Sequence, residues 1–251
     1  MGILMRASAI AAVLTALAVS ACSSAADSEP GSDEFLAPLG PMVTAPPDAA
    51  GAPFPDPAVL RAALLDVGDL PVGFSPVADP EEDLGLPPAS EAAQSDKSST
   101  DPALCSAVLS PVADQHPGAA ASASAWFQGP NFTTVDQDAA SYPTAADAAQ
   151  AFTDIQTTLA HCTDYSGTDA DGVDVQYRVG GRDGRPAGDA STGFRLVTTS
   201  DGFSLVSDVV VAMTGSTVTQ LVATGQEPID EGVFEDMTHA AVSKLASAPA
   251  S

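Results

Sequence analysis

Two hydrophobic spacings alternate along the chain from residue 58 onward. Runs with apolar residues three and four positions apart predict helices, and runs with apolar residues at every second position predict strands. The helical runs are 58–67, a short segment after Asp101-Pro102, 144–162 and 230–245. The strand-like runs are 119–127, 132–142, 173–179, 191–199, 203–213 and 216–224.

The clearest of these runs fix the fold class. Thr144 and Asp147 have the spacing of a capping box, and the helix they begin carries one apolar stripe: Ala148, Phe152, Ile155, Leu159 and Cys162. The run 203–213 places alternate apolar residues on one face: Phe203, Leu205, Val209, Val211 and Met213. The order of elements predicts a single α+β domain over residues 58–251. In it, helices pack against a central antiparallel sheet of about six strands.

The start of the chain predicts an exported lipoprotein. Arg6 precedes the apolar run 7–19, and Val19-Ser20-Ala21-Cys22 resembles the lipobox that a bacterial lipoprotein signal peptidase cuts. The run is shorter than the roughly 20 apolar residues that a membrane-spanning helix needs. We therefore expect a signal peptide over residues 1–21 and acylation (palmitate) at Cys22. The alternatives are an ordinary secretory signal with an incidental cysteine, or an uncleaved anchor helix.

The predicted lipid also explains the sequence that follows it. Residues 22–57 are rich in Ala, Pro, Ser, Gly and acidic residues and show neither hydrophobic spacing. Such a composition buries too little apolar surface to offset the entropy of ordering. We expect a disordered tether that holds the domain on the extracytoplasmic face of the cell membrane.

The charge of the chain limits its partners. There are 8 Lys and Arg residues against 33 Asp and Glu residues, a formal net charge of −25. Nucleic acid is excluded as a partner, because phosphate backbones attract basic surfaces. Attachment to anionic lipid would have to come from the acyl chains rather than from charge.

The three cysteines divide into one lipid site and one pair. With Cys22 acylated, Cys105 and Cys162 remain in an oxidising compartment, where two thiols favour a structural disulfide. The alternative is a redox-active pair. It lacks Cys-x-x-Cys spacing and a cation close in sequence that would lower a thiol pKa.

Motifs for catalysis or metal binding are weak. The histidines are His116, His161 and His239, and none begins a His-Glu-x-x-His motif. The acidic run 169–174 resembles a calcium loop, but Gly167 and Arg178 stand where its first and last acidic ligands belong. The sequence therefore predicts no catalytic residues, no metal and no cofactor.

Four arginines form the strongest candidate for a binding site. Arg178, Arg182, Arg185 and Arg195 lie around one predicted hairpin. Arginine suits bidentate recognition of carboxylates and phosphates, so the cluster could contact an anion or an acidic partner. The alternative is that the arginines neutralise nearby acidic residues: Asp171, Asp174, Asp183 and Asp189.

Several short motifs resemble a known family when they are taken in order. They are Leu64-Leu65, then Asp69-Leu70-Pro71-Val72-Gly73-Phe74, a cysteine in a short helix at Cys105, and Phe152 ahead of Cys162. The pattern resembles exported actinobacterial lipoproteins that are similar to the extracellular sensor domain of PknH-type serine/threonine kinases. The resemblance implies an α+β domain with a cleft for an unidentified ligand, and no catalytic residues. Kinase sensor domains of this type carry two disulfides, whereas this chain can form one.

These observations favour a membrane-anchored, non-catalytic lipoprotein with a ligand-binding or sensor-like domain. The ligand could be a small molecule, a lipid or a protein. The first alternative is an envelope accessory protein that docks another protein through its acidic face or its arginines. The second is a hydrolase with a dispersed active site.

Overall fold

The computed structural model describes residues 36–77 and 97–248, which build one large antiparallel sheet with helices on both faces. The helices are α1 (Pro57–Ala62), α2 (Val112–Gln115), α3 (Ala145–His161) and α4 (Glu231–Ser247). The strands are β1 (Ser75–Pro76), β2 (Ser99–Asp101), β3 (Ala121–Gln128), β4 (Thr134–Ser141), β5 (Asp164–Thr168), β6 (Asp174–Gly181), β7 (Ala190–Ser200), β8 (Phe203–Thr214) and β9 (Thr217–Gly225). Short 3₁₀ turns occupy Val67–Asp69, Ala103–Ala107 and Pro130–Phe132.

The strand order across the sheet is β1-β3-β4-β9-β8-β7-β6-β5-β2. Strands β5 to β9 form a meander of consecutive antiparallel pairs, and β9 then pairs with β4. The predicted α+β class and antiparallel sheet are confirmed. Within the described residues, however, the sheet has nine strands rather than about six.

The three additional strands are β1, β2 and β5. Strands β1 and β2 lie at the two edges of the sheet and contain only two and three residues. Strand β5 has the polar sequence Asp-Tyr-Ser-Gly-Thr, in which Tyr165 alone is buried. A Cβ at Gly167 would overlap the carbonyl oxygen of Ser99, so this glycine allows β2 to approach. Such strands are held by backbone pairing and leave no period-two signal.

Successive side chains of β8 point to opposite faces of the sheet. Val209, Val211 and Met213 belong to the core that includes α3, whereas Val210 and Ala212 face the side that α4 covers. Phe203 and Leu205 lie on the same face of the strand as Val209, but they are 77% and 46% exposed. They lie near the tip of the β7–β8 hairpin, outside the core, so the predicted apolar face is buried only along its second half.

Helix α3 follows the sequence prediction closely. The Thr144 hydroxyl accepts a hydrogen bond from the backbone N–H of Asp147 at 3.1 Å and donates one to the Asp147 carboxylate at 2.7 Å. The predicted stripe is buried along its whole length, with no member more than 4% exposed: Ala148, Phe152, Ile155, Leu159 and Cys162.

Residues 36–56 pack along the domain as an extended segment, here called the strap. The side-chain amide of Gln156 on α3 pairs with both backbone groups of Val43, accepting from its N–H at 2.7 Å and donating to its carbonyl at 2.9 Å. The N–H of Phe54 donates to Ser141 Oγ at 2.9 Å, and the Phe54 ring is buried.

The strap narrows the predicted tether. Residues 36–56 of that segment pack on the domain, where the buried side chains of Gln156 and Ser141 satisfy backbone groups of Val43 and Phe54. The rest of the predicted tether, residues 22–35, lies outside the described residues. The signal segment 1–21 and Cys22 lie outside the described residues.

Two predicted helix boundaries also differ. The run 58–67 ends as a helix at Ala62, because Asp66 begins a 3₁₀ turn: its carboxylate accepts from the N–H of Gly68 at 2.7 Å. Gly68 is therefore inside a turn rather than at a helix C-terminus. Asp101 is the last residue of β2 rather than a helix cap, and the peptide bond that follows it is cis.

Candidate binding groove

A groove of about 430 Å³ lies where β3 and β4 meet α2. Its walls combine one aromatic side chain with small apolar residues, hydroxyls and charged groups. The lining residues are Arg61, Pro111, Ala113, Asp114, Ser122, Ala123, Ser124, Trp126, Asp138 and Ala139. A larger hollow of about 580 Å³ between α1 and α4 is lined mainly by Ala and Val, so it offers fewer groups that could orient a ligand.

The pairing of β3 with β4 brings the polar side chains of the groove together. Ser124 pairs with Asp138, and Trp126 pairs with Asp136. Because side chains two residues apart share a face, both aspartates of β4 lie on the same side of the sheet as Trp126. Trp126 and Asp138 are half-buried.

Asp138 joins the sheet to α2. Its Oδ1 accepts a hydrogen bond of 2.6 Å from the N–H of Val112, the first residue of α2. Its Oδ2 lies 3.5 Å from Nε2 of Gln220 on β9. Gln115 of α2 donates to Oε1 of the same glutamine at 3.1 Å. This network holds α2 against the sheet and fixes one wall of the groove.

Burial raises the pKa of Asp138 to about 7, and the nearby carboxylates Asp114 and Asp136 add repulsion that raises it further. The hydrogen bonds from Val112 and Gln220 act in the opposite direction. Burial also raises the pKa of Asp136. A carboxyl that titrates near neutral pH inside a groove marks a candidate functional site.

Sequence reasoning missed these two aspartates as site residues. The available signal was their spacing: Asp136 and Asp138 stand two positions apart in a run that was predicted to be a strand, which places both on one face. The contact of Asp138 with Val112 depends on α2, a helix that the hydrophobic pattern did not reveal.

The four predicted arginines are divided between three places in the structure. Arg195 Nε and Nη2 bind the two oxygens of Asp208 at 2.7 and 3.0 Å, and Arg182 Nε lies 3.5 Å from the same carboxylate. Arg185 lies apart from these two arginines and binds Glu235 and Asp236 on α4. Its Nε is 2.6 Å from Glu235 Oε2, and its Nη2 is 3.1 Å from Asp236 Oδ1. The Arg178 Nε lies 4.0 Å from Asp164 Oδ2 across the β5–β6 pair.

The buried part of this group is an ion-pair cluster beneath α4. The side chains of Arg182, Arg195 and Asp208 are 7%, 18% and 1% exposed. The Arg182 guanidinium also lies 4.6 Å from the centre of the Phe234 ring. The arginines therefore contact acidic side chains of β5, β8 and α4. Arg182 Nη1 also donates a hydrogen bond to the backbone carbonyl of Asp183, one of the four local aspartates, at 3.3 Å.

Cys105 and Cys162 form the predicted disulfide, with their Cα atoms 5.6 Å apart. It links the 3₁₀ turn Ala103–Ala107 to the end of α3. The turn leads directly into α2, so the disulfide restrains the same wall of the groove that Asp138 holds.

The histidines have separate surroundings. His116 Nδ1 lies 2.9 Å from Asp154 Oδ2, and its carbonyl accepts a hydrogen bond from the Tyr142 hydroxyl. His161 Nδ1 lies 2.7 Å from the carbonyl oxygen of Thr157, one turn earlier in α3. Within the described residues, no group of three or more His, Cys, Asp or Glu side chains could hold a metal ion. No helix in residues 36–77 and 97–248 is long and apolar enough to cross a membrane.

The motif over residues 69–74 supports the turn between β3 and β4. The Phe74 ring packs so closely on Gly129 that a Cβ at Gly129 would overlap it, and Gly73 lies against Pro130 with a φ of +107°. Lys244 of α4 binds Asp69 at 2.6 Å and Asp66 at 2.8 Å. These contacts give the family-like motif a structural role at the β3–β4 turn.

Comparison with known proteins agrees with the resemblance in the sequence. The crystal structure of the extracellular domain of PknH from Mycobacterium tuberculosis matches with a TM-score of 0.51 and 14% identity, covering 74% of this chain and 91% of that chain. An uncharacterised Mycobacterium smegmatis protein gives a TM-score of 0.41 at 13% identity, covering 80% of this chain and 99% of that chain. No curated protein sequence matches. The model of the PknH-like extracellular domain matches residues 55–246, most of the chain. The resemblance is thereby confirmed, and the chain belongs to the PknH-like extracellular domain family.

Proposed function

We propose that this chain is a non-catalytic, extracytoplasmic binding domain, held at the cell membrane by a lipid on Cys22, and that its ligand enters the groove beside Trp126 and Asp138. The observation that carries the proposal is the groove itself. An aromatic wall with a few convergent polar groups is the usual composition of a small-molecule site. The family match to an extracellular domain supports the location.

The anchoring part of the proposal rests on the lipobox. We expect the full chain, expressed in an actinobacterial host, to partition into the membrane fraction with the added mass of a diacylglyceryl group. Cys22→Ala should be recovered without that mass, and Ser23→Ala is the matched control that should behave as the wild type. A Cys22→Ala protein that stays in the membrane fraction would contradict lipid anchoring.

The binding part can be measured with the natural chromophore of the groove. Trp126 is the single tryptophan of the chain, so its fluorescence reports on this site alone. We expect some members of a panel of small cationic, neutral and anionic aromatic compounds to change the emission saturably. Ser124→Phe should fill the groove and abolish the change, whereas Ser243→Phe on the exposed side of α4 should not. Binding that survives Ser124→Phe would place the ligand elsewhere.

Docking of another envelope protein is the second candidate function. Phe132 and Phe203, at the tips of two hairpins, are 82% and 77% exposed, which is unusual for phenylalanine. A photo-crosslinking amino acid at position 132 should then trap one protein of constant mass in intact cells. The same substitution at the exposed Asp183, which follows the opposite end of β6, is the control. Equal labelling from both positions would speak against a specific interface.

A further inference from the structure

We propose that the ligand of the groove carries a cationic amine on an aromatic or apolar body. This inference rests on the proposed function, because it assumes that the groove beside Trp126 is a binding site. It adds the chemical class of the ligand, which neither the family match nor the fold specifies.

The aromatic wall is the first reason. Trp126 is half-buried and contributes to the lining of the groove, so a ligand would contact its side chain. Tryptophan is the strongest cation–π partner among the side chains, and its large apolar surface also stacks on flat apolar groups. A ligand with both an ammonium group and an apolar body would use both properties.

The distribution of charge is the second reason. Asp138 and Asp114 line the groove, and Asp136 stands beside Trp126 across the β3–β4 pair. The electrostatic influences on Asp138 come from two other carboxylates, and the groups that offset them are hydrogen-bond donors without charge: Val112 N–H and the Gln220 amide. Two carboxylates thus exert repulsion on the ionised form of Asp138. An ammonium ion in the groove would relieve it.

The remaining charged group of the groove limits where the amine can lie. Arg61 on α1 also lines the groove, and its guanidinium is always protonated. Because like charges repel, we expect the amine to lie beside Asp138 and Trp126 rather than beside the Arg61 guanidinium. The hydroxyls of Ser122 and Ser124 can accept hydrogen bonds from the same ammonium group.

The position of Asp138 in the groove couples the binding of a cation to the release of a proton. A cation beside Asp138 favours its ionised form, so binding should release a proton near neutral pH and affinity should rise with pH. Burial raises the pKa of the neighbouring Tyr142 to about 12, so this phenol stays neutral in the same pH range. Asp114 and Asp136 are the two other acids that contribute.

Three probes with the same phenylethyl body test the class of ligand: 2-phenylethylammonium, 2-phenylethanol and 3-phenylpropionate. We expect the amine to change Trp126 fluorescence with an affinity at least about tenfold higher than that of the alcohol, and the carboxylate to bind more weakly still. The affinity of the amine should rise about fivefold or more between pH 6 and pH 8. Calorimetry in two buffers of different ionisation enthalpy should detect the released proton.

Two variants test whether Asp138, rather than another carboxyl, is responsible for the pH dependence. Asp138→Asn keeps an acceptor for Val112 N–H and should remove both the pH dependence and the proton release. Asp171→Asn, in an exposed turn away from the groove, is the matched control and should change neither.

The outcomes distinguish the inference from the proposed function. Equal affinity for amine and alcohol, or preference for the carboxylate, would overturn the cationic class while leaving the groove a binding site. The absence of any saturable change up to about 10 mM, where fragment-sized ligands already bind, would overturn the inference. The proposed function would still be judged by the wider panel and by Ser124→Phe.

Discussion

The ion-pair cluster beneath α4 gives the sharpest quantitative prediction. In Asp208→Asn the side chain keeps its shape, but Arg182 and Arg195 lose the carboxylate that both approach within 3.5 Å. The side chains of Arg182 and Arg195 are only 7% and 18% exposed, so water cannot replace the lost charge fully. Breaking a buried ion pair in this way costs about 3–5 kcal/mol of unfolding free energy.

The measurement is urea-induced unfolding followed by far-UV circular dichroism, on the purified chain with Cys22→Ser as the reference background. A domain of about 200 residues should also lose roughly 2–4 °C of Tm per kcal/mol, so Asp208→Asn is expected to melt about 10 °C earlier. Asp236→Asn is the control, since its side chain is 83% exposed and its Arg185 partner 57% exposed. We expect no measurable change there.

A triple replacement tests the cause. Arg182→Met, Arg195→Met and Asp208→Leu together remove every charge of the cluster, and should recover much of the stability lost in Asp208→Asn. If Asp208→Asn costs less than about 1 kcal/mol, the reasoning is refuted. The two arginines would then be able to leave Asp208, and an external anion could bind them.

Three further predictions concern stability. Phe132 has a φ of +59° at a turn position that favours glycine, so Phe132→Gly should raise the unfolding free energy by about 1 kcal/mol; a loss would show that its exposed ring has a packing role. Asp138 keeps its proton in the folded protein to about pH 7, while the unfolded chain releases it near pH 4. The unfolding free energy should therefore fall as pH rises through that window, by up to about 1.4 kcal/mol per pH unit. Asp138→Asn, measured by urea unfolding at pH 5 and pH 8, should remove this contribution to the pH dependence. Replacing Cys105 and Cys162 by alanine opens a loop of 57 residues and should cost about 4 kcal/mol, and an unchanged urea midpoint would contradict this.

The parts of the fold that the sequence predicted are those with a strong local period. Helix α3 and strands β6 to β9 each carry enough apolar residues on one face for burial to determine both type and register. Strands β1 and β2 are too short to have a period, and the strap has none. Their positions follow from hydrogen bonds to distant residues, such as Val43 with Gln156, which no local pattern contains.

The arginines illustrate a prediction that could have been sharper. The turn at Asp201-Gly202 sets the β7–β8 register, because a two-residue turn pairs Ser200 with Phe203 and therefore Arg195 with Asp208. Counting along the predicted hairpin gives this ion pair from the sequence alone. The contact of Arg185 with α4 could not be found in the same way, since it depends on how the helix crosses the sheet.

The packing of the strap limits how far the domain could lie from a lipid on Cys22. A tether that ended at Pro57 could extend to about 120 Å, whereas one that ends at Leu36 can reach only about 50 Å at 3.5 Å per residue. The carbonyl of Ala37, near the start of the strap, accepts a hydrogen bond from Gly181 at the end of β6. Phe132 and Phe203 both lie at the other end of the sheet. The β7–β8 tip, with Phe203, lies beside the first residues of β6. Phe132 precedes β4, whose first residues pair with the last residues of β9, and these in turn pair with the first half of β8. A lipid-linked tether that joined the domain at this end of the sheet would leave the other end, with its two exposed phenylalanine rings, as the part best placed to meet a partner.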